Sequence, residues 1–368
     1  MPKFLSLVLS IIFTAITWGD EFTIDWVTDI QSVAKGGIDR GTELPSLLTL
    51  SVDSGENEAA GQWYISAIAT FGGDPSEHIG DLQVTSNVEA HNTARIYELW
   101  YARSFGANHL LFGLHDLNSE FQVLDAAGLF LNSSFGVTPE LSQTGPSIYP
   151  ELALGVRWKR EIDAHHHILT AVYDGVVGQP GHPNGNHIHL GGKDGLLAIS
   201  EWQYHPQGDV DESTGKIALG LWRRTTNWED IQGRTQTSAS GLYALAEGRF
   251  VVPGTGRPMD AFIQIGRRFE HSDMLEGYFG AGLNLHNPFN LSQANILGVA
   301  IAHARTSRAY RESNTDLASG ETTLELTWVF EVTDWLQLQP DIQWIRYPSA
   351  NRAIDNALAV GLRIALSY

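Results

Sequence analysis

The sequence predicts an all-β protein, a transmembrane antiparallel β-barrel of 16 strands with a long loop folded into its lumen. Three observations carry that prediction. From Ala357 to Tyr368 the chain alternates without a break. Leu358, Val360, Leu362, Ile364, Leu366 and Tyr368 share one face, and Ala357, Ala359, Gly361, Arg363, Ala365 and Ser367 share the other. A period of two marks a β-strand, because successive side chains point to opposite sides of the pleat. A terminal strand with a continuous apolar face and an aromatic last residue suits the closing of an outer-membrane barrel. The second observation is Met1–Gly19, which has the parts of a secretory signal peptide: a lone Lys3, an apolar run from Phe4 to Trp18, and short residues before Asp20. That run falls short of the ~20 residues a spanning helix needs. The third is that long and short links alternate along the rest of the chain.

Residues 20–368 read as one barrel domain, and alternation divides them into segments. The first five lie at 22–31, 46–53, 61–71, 93–104 and 109–115, and the next five at 151–159, 166–175, 195–205, 215–225 and 239–250. The last six lie at 259–270, 275–285, 295–306, 320–331, 336–346 and 357–368. Several declare themselves individually. Leu324, Leu326, Trp328 and Phe330 oppose Thr323, Glu325 and Thr327. Leu152, Leu154, Val156 and Trp158 oppose Ala153, Gly155, Arg157 and Lys159. Long polar links (32–45, 72–92, 116–149, 176–194, 226–238, 307–319, 347–356) follow odd segments. Shorter ones (54–60, 105–108, 160–165, 332–335) follow even segments. Short turns on one rim and long loops on the other are outer-membrane barrel topology, with both termini periplasmic. Segments of about ten residues match a tilted spanning strand, whereas soluble strands run nearer five or six. Alternation is weakest where glycines cluster, at Gly277–Gly282.

Composition narrows the function classes. The chain has no cysteine, so it has neither a disulfide framework nor a thiolate metal site. A net charge of −19 argues against nucleic acid, whose phosphates need a basic face, and against an anion channel. Eleven Trp, 11 Tyr and 15 Phe supply interfacial girdles. A mean hydropathy of −0.13 suits a barrel with a polar lumen as well as it suits a soluble protein. No strand carries serine and histidine together on its apolar face, so a hydrolase on the outer wall is not expected. No cofactor or metal is expected either. His165–His167 fall in a short turn, and His182, His187 and His189 sit in a Gly- and Pro-rich link where a weak metal site is the less favoured reading.

The link at 116–149 is the longest and the least like a solvent loop. It mixes Phe121, Leu124, Leu129, Phe130, Leu131 and Phe135 with Asp116, Asn118, Glu120 and Asp125. A link this long and this apolar packs against something, and the inner wall is the sheltered surface a barrel offers. Such a loop sets the size and charge selectivity of a pore. A helical turn is expected within Ser119–Ala127, with Ser119 as its cap.

LFGLHDLNSEF at Leu111–Phe121, followed by FLNSSFG at Phe130–Gly136, resembles the OprB-type carbohydrate-selective porins. So do YELW at Tyr97–Trp100, YPELALGVRW at Tyr149–Trp158, GLYALAE at Gly241–Glu247 and LQLQPDIQWIRYP at Leu336–Pro348. Gly36–Gly37 and DLQVTSNVEA at Asp81–Ala90 fit as well. The chain departs from that pattern at His115, where lysine is usual, and at Tyr368, where phenylalanine is commoner. The resemblance implies a sixteen-stranded channel of the bacterial outer membrane that passes small sugars by passive diffusion. The other reading is a general, cation-preferring diffusion porin without a sugar site.

Sugars offer hydroxyls at every edge and flat C–H faces. A sugar path therefore wants carboxylates and amides, aromatics for stacking, and the planar donor fork of arginine. Strand parity turns Glu98, Trp100, Glu201, Gln203, Trp222, Arg224, Glu325 and Arg363 inward. The expected solute-contacting set is Glu98, Trp100, Asp116, Asn118, Glu120, Glu201, Trp222 and Arg363. Expected partners are monosaccharides or short oligosaccharides, outer-membrane lipid, and the barrel-assembly machinery through the C-terminal strand. Monomer and homotrimer both stay open.

Overall fold

The structure is a computed structural model and describes residues 21–57, 59–178, 184–186, 188, 194–206, 215–289, 291 and 294–368. The expected signal peptide and His182, His187 and His189 lie outside the described residues. Sixteen long strands form the main sheet, joined by a two-residue piece at Thr42–Glu43. They are β1 Glu21–Gly37, β2 Ser46–Asp53, β3 Gln62–Phe71, β4 Thr93–Phe105, β5 Asn108–Leu114 and β6 Leu154–Glu161. Next come β7 His166–Asp174, β8 Leu196–Tyr204, β9 Gly215–Arg224, β10 Ala239–Val251 and β11 Pro258–Arg268. The last five are β12 Leu275–His286, β13 Asn295–Thr306, β14 Gly320–Thr333, β15 Leu336–Arg346 and β16 Asp355–Ser367. Each pairs antiparallel with its chain neighbours, and β1 pairs with both β2 and β16, which closes the barrel. Closure leaves no row of unpaired edge amides, which is the condition for a sheet to sit in hydrocarbon.

Alternation works out as the sequence predicts. Leu221 is 63% exposed, Phe112 55%, Val299 51% and Leu326 46%, and all four stand on the outer face. Their inward neighbours on the same strands are mostly polar or small, as Gly113, Gly220, Gly298, Ala300, Glu325 and Thr327 are, while Leu111 and Trp222 turn inward and are buried. A large apolar surface left open on one face and a polar face on the other is what a membrane-spanning barrel needs. Among the described residues no helix is long and apolar enough to cross a membrane, so the strands are the spanning elements.

Two departures have local causes. β1 runs to Gly37 rather than ending near residue 31, because Ser32–Gly37 continue to pair with Asp355–Val360 of β16 through register shifts. In β4 the register slips where Ile65 and Ala67 of β3 pair with Leu99 and Ile96. The extra residue of this bulge leaves Tyr97 and Glu98 together opposite Ser66, whose hydroxyl accepts the Glu98 amide at 3.1 Å.

Candidate functional site

The site follows from how the wall holds the long links. Inward carboxylates and amides of several wall strands meet the backbone of 116–149. Glu201 of β8 accepts the Gln122 amide at 2.9 Å, and Glu247 of β10 accepts that of Ala126 at 2.9 Å. Glu325 of β14 accepts Leu131 and Asn132 at 2.6 and 3.1 Å. Amide side chains do the reverse. Gln264 donates to the Phe135 carbonyl at 2.8 Å, Asn284 to that of Ala126 at 2.7 Å, and Gln339 to that of Leu129 at 2.7 Å. An irregular segment has no ladder of its own, so every buried N–H and C=O needs such a partner. Its apolar side chains pack beside these bonds. Phe121, Leu124, Phe130, Phe135 and Leu141 form one buried cluster with Leu197, Ile199, Trp222, Tyr243, Phe262 and Tyr278 of β8–β12.

The expected helical turn is corrected in detail. Leu117–Ser119 forms a 3-10 turn capped by Asp116, whose carboxylate accepts the Asn118 amide at 2.8 Å, and a second turn spans Ala127–Leu129. Asp116 is the better cap because its ionised carboxylate can accept two donors at once.

A second link joins the first. Residues 81–89 are tied down by Glu321 of β14, which accepts the amides of Leu82, Gln83 and Ser349 at 2.8–3.0 Å. Gln343 donates to the Thr85 carbonyl at 2.7 Å, and Ser86 donates to Asp29 at 2.7 Å. Between the two links lies a cavity of about 400 Å³, within the range of pockets that enclose a small ligand. Its lining includes Gln83, Asn87, Glu89, Asp116, Asn118, Ser133 and Tyr149. At the barrel seam Asp29 faces Arg363, and the guanidinium grips that carboxylate at 2.7 and 2.8 Å. The same Nη2 donates to the Asn87 side-chain carbonyl at 2.6 Å, so Arg363 ties the seam to the cavity rim.

The expected residues fall into four groups. Asp116 and Asn118 line the cavity, with Glu98 behind Asp116, accepting its amide at 3.2 Å, and Arg363 beside Asn87. Trp100 stacks on Tyr64 at 5.2 Å and stands edge-on to His115. Glu120 lies elsewhere. It accepts from Arg157 at 2.5 Å and lines a smaller cavity of about 210 Å³ with Lys159, Gln203, His205 and Lys216. Glu201 and Trp222 are 0% and 1% exposed, beneath the 116–149 segment, so in this structure neither presents a surface to a solute. Glu201 is consumed by the Gln122 amide, Tyr243 and Gln203.

Electrostatics set the protonation of the link groups. Burial pushes the Asp116 carboxyl up to about 6, against the lowering effect of the Tyr97 hydroxyl and the Asn118 amide that bond it. Burial and then the neighbouring Asp81 push Glu89 up to about 8. Burial takes His115 down to about 4, so it is neutral near pH 7, bonded to the Tyr173 hydroxyl at 2.8 Å. Arg157, rather than residue 115, supplies the cation beside Glu120.

The sequence reading does not reach Asn87, Tyr149, Tyr97 or Arg157. Tyr97 is hidden by the bulge, which places two consecutive residues on one face. Asn87 lies in a link whose polarity looks like solvent exposure. Its signal is the spacing of Gln83, Asn87 and Glu89, polar residues interleaved with Val84 and Val88. Among the described residues no group of three or more His, Asp or Glu is placed to hold a metal.

A closed barrel with an apolar outer wall, a polar inner wall and a loop-lined cavity is a transmembrane channel of the outer-membrane class. Residues 57–368 match the model of the OprB family of carbohydrate-selective porins. The chain belongs to that family, and so is a carbohydrate-selective porin of the bacterial outer membrane rather than an enzyme. Porin B of Pseudomonas aeruginosa is 22% identical over 330 residues, covering 79% of this chain and 72% of that protein. Pseudomonas putida OprB at high pH superposes with a TM-score of 0.82 at 19% identity, covering 95% of this chain and 94% of that one. Its low-pH structure gives 0.60 at 16% identity, covering 95% and 93%.

Proposed function

We propose that small neutral sugars diffuse passively past a constriction built by residues 81–89 and 116–149, with Asn87, Glu89, Asp116, Asn118, Tyr149 and Arg363 as its contact surface. The observation that carries this is the cavity between the two links. It gathers two carboxyls, three side-chain amides with a guanidinium at the rim, and one tyrosine face, which are the groups that sugar hydroxyls and C–H faces need. Such a site need bind only weakly, because a solute held tightly does not leave a pore. The carbohydrate selectivity of the family agrees with this lining.

Flux into liposomes carrying the folded protein tests the reading, comparing a monosaccharide, a disaccharide, a neutral amino acid and a small anion. Saturable sugar entry whose half-saturation rises roughly tenfold in Asn118→Ala or Asn87→Ala, about 1.4 kcal/mol, supports it. Entry ranked by size and charge alone favours the general cation-preferring porin and discards the sugar site.

A further inference from the structure

At the rim where the long links emerge, the outward cations among the described residues lie in one arc of the wall. Lys35 of β1, Arg223 of β9, Arg267 of β11, Arg305 of β13 and Arg346 of β15 all lie at the rim where the long links emerge. Their partners across the ladders show that they face outward. Lys35 pairs with Leu358, Arg267 with Leu242, and Arg346 with Thr322, which shares the apolar face of Leu324. Arg223 follows exposed Leu221 by two residues, Arg267 follows Ile265, and Arg346 follows Trp344. Arg223, Arg267 and Arg346 therefore begin one outward step beyond the apolar band, and Arg305 two steps beyond Ile301, at the depth of the headgroups. The other arc differs. Among the described residues, the outward positions at this rim on β2–β8 include Ser46, Phe71, Leu114, Leu154, Asp174 and Leu196, with no lysine or arginine.

The cations sit on alternate strands because odd strands run toward this rim, and each ends with an outward residue there. Arg267 and Arg305 share one carboxylate. Glu276, at the register shift of β12, meets Arg305 at 3.0 Å and Arg267 at 3.5 Å, with His271 on its other oxygen at 2.8 Å. Two guanidiniums have ten N–H donors between them, so one carboxylate clamps them in place and leaves most donors facing out. Their side chains remain 40% and 56% exposed. Arg346 lies over the Tyr347 ring at 4.7 Å. In a chain of net charge −19, five outward cations along one arc are not a general surface property.

We infer that this arc docks the phosphorylated headgroups of outer-leaflet glycolipid, with Arg267, Glu276 and Arg305 as its preorganised centre. Planar guanidiniums match phosphate oxygens two at a time. The long-link rim faces the outer leaflet, so the ligand is a lipid of that leaflet rather than one of the periplasmic side.

The test uses the full folded protein in neutral detergent, titrated with bis-phosphorylated lipid A and with the same lipid after dephosphorylation, read by tryptophan fluorescence and native mass spectrometry. The expected result is binding at least tenfold tighter for the phosphorylated form, weakening as salt rises. The combined Lys35→Gln, Arg223→Gln, Arg267→Gln, Arg305→Gln and Arg346→Gln variant loses that preference, and the Arg305→Lys variant keeps most of it. Sugar flux, which uses the opposite face of the wall, checks that the variant has folded. Should the combined variant not fold, the wild-type comparison of the two lipid forms decides alone. Equal affinity for both forms, or a preference that survives in the glutamine variant, overturns the assignment.

Discussion

Glu98 on β4 and Glu201 on β8 stand on the same inward face of the barrel, four strands apart and indistinguishable by alternation. Yet they do different things. Glu98 lies behind Asp116 at the edge of the cavity, on the side where β4 and the β16–β1 seam leave open space. Glu201 is wholly buried and bonded to the Gln122 amide and the Tyr243 hydroxyl. The difference holds for the two regions they represent. From β8 to β15 the inner wall is an anchoring surface, whose carboxylates accept link amides and whose amides donate to link carbonyls. Around β16, β1 and β4 it is an open surface, where Arg363, Asn87, Asp116 and Asn118 meet the cavity. One polar wall thus does two jobs, and the long link decides which residue gets which.

The largest effect should come from breaking the anchoring side. Glu325→Ala leaves the Leu131 and Asn132 amides without their acceptor. Each buried donor so abandoned costs about 1–3 kcal/mol, which loosens 116–149 without unpairing a single strand. Single-channel conductance should rise severalfold and discrimination between sugar and anion should fall, while the barrel keeps its resistance to heat. An unchanged conductance would show that the wall carboxylates are not what holds the link.

Next in size is the open side. Arg363→Gln removes a guanidinium that bridges Asp29 and Asn87, and leaves the buried Asp29 carboxylate without its cation. Half-saturation for sugar should rise about tenfold, the cost of one charged contact, with cation preference increasing as a positive charge leaves the pore. Reversal potential and sugar flux measured on the same preparation separate the two effects.

How far the sequence reaches follows the same division. The strands were legible because period two is imposed locally by the pleat, and closure by β16 followed from its unbroken apolar face. The face of Glu201 and Trp222 was legible for the same reason. What covers them was not, because alternation reports which side a residue faces and nothing about what lies opposite. The apolar content of 116–149 showed that it packs on something, and the cluster of Phe121, Phe130 and Phe135 with Trp222 and Tyr243 supplies the surface. Tyr97 and Asn87 stayed hidden for different reasons. A bulge breaks the period at the first, and the second belongs to a link that only tertiary bonds from Glu321 and Gln343 hold in place.

A smaller and graded effect tests the charge of the open side. Glu89 is pushed up to about 8 from 4.5, by burial first and Asp81 second. Its folded value is the higher one, so its protonated form is the one the fold favours. That contribution is present below pH 4.5 and is lost as pH rises toward 8. Ionisation in the same range adds a negative charge to the cavity lining. Cation preference should therefore increase between pH 6 and 9, and Glu89→Gln should flatten that rise, as reversal potentials across the range would show.

The smallest effect is expected where the residue type most suggests sugar binding. A tryptophan turned into a pore is the side chain best suited to stack on a sugar face. Trp222, however, lies under the link, packed with Tyr243, Phe135 and their neighbours, and is 1% exposed. Trp222→Phe keeps most of that packing and should leave half-saturation for sugar within twofold of the parent. Tyr149→Leu, at the cavity lining, should move it further, because there an aromatic face and a hydroxyl bonded to the Val88 carbonyl at 2.7 Å meet the solute path. If flux assays rank the two the other way, with Trp222 the stronger contributor, then the link moves aside during transport and the anchoring wall is itself part of the path.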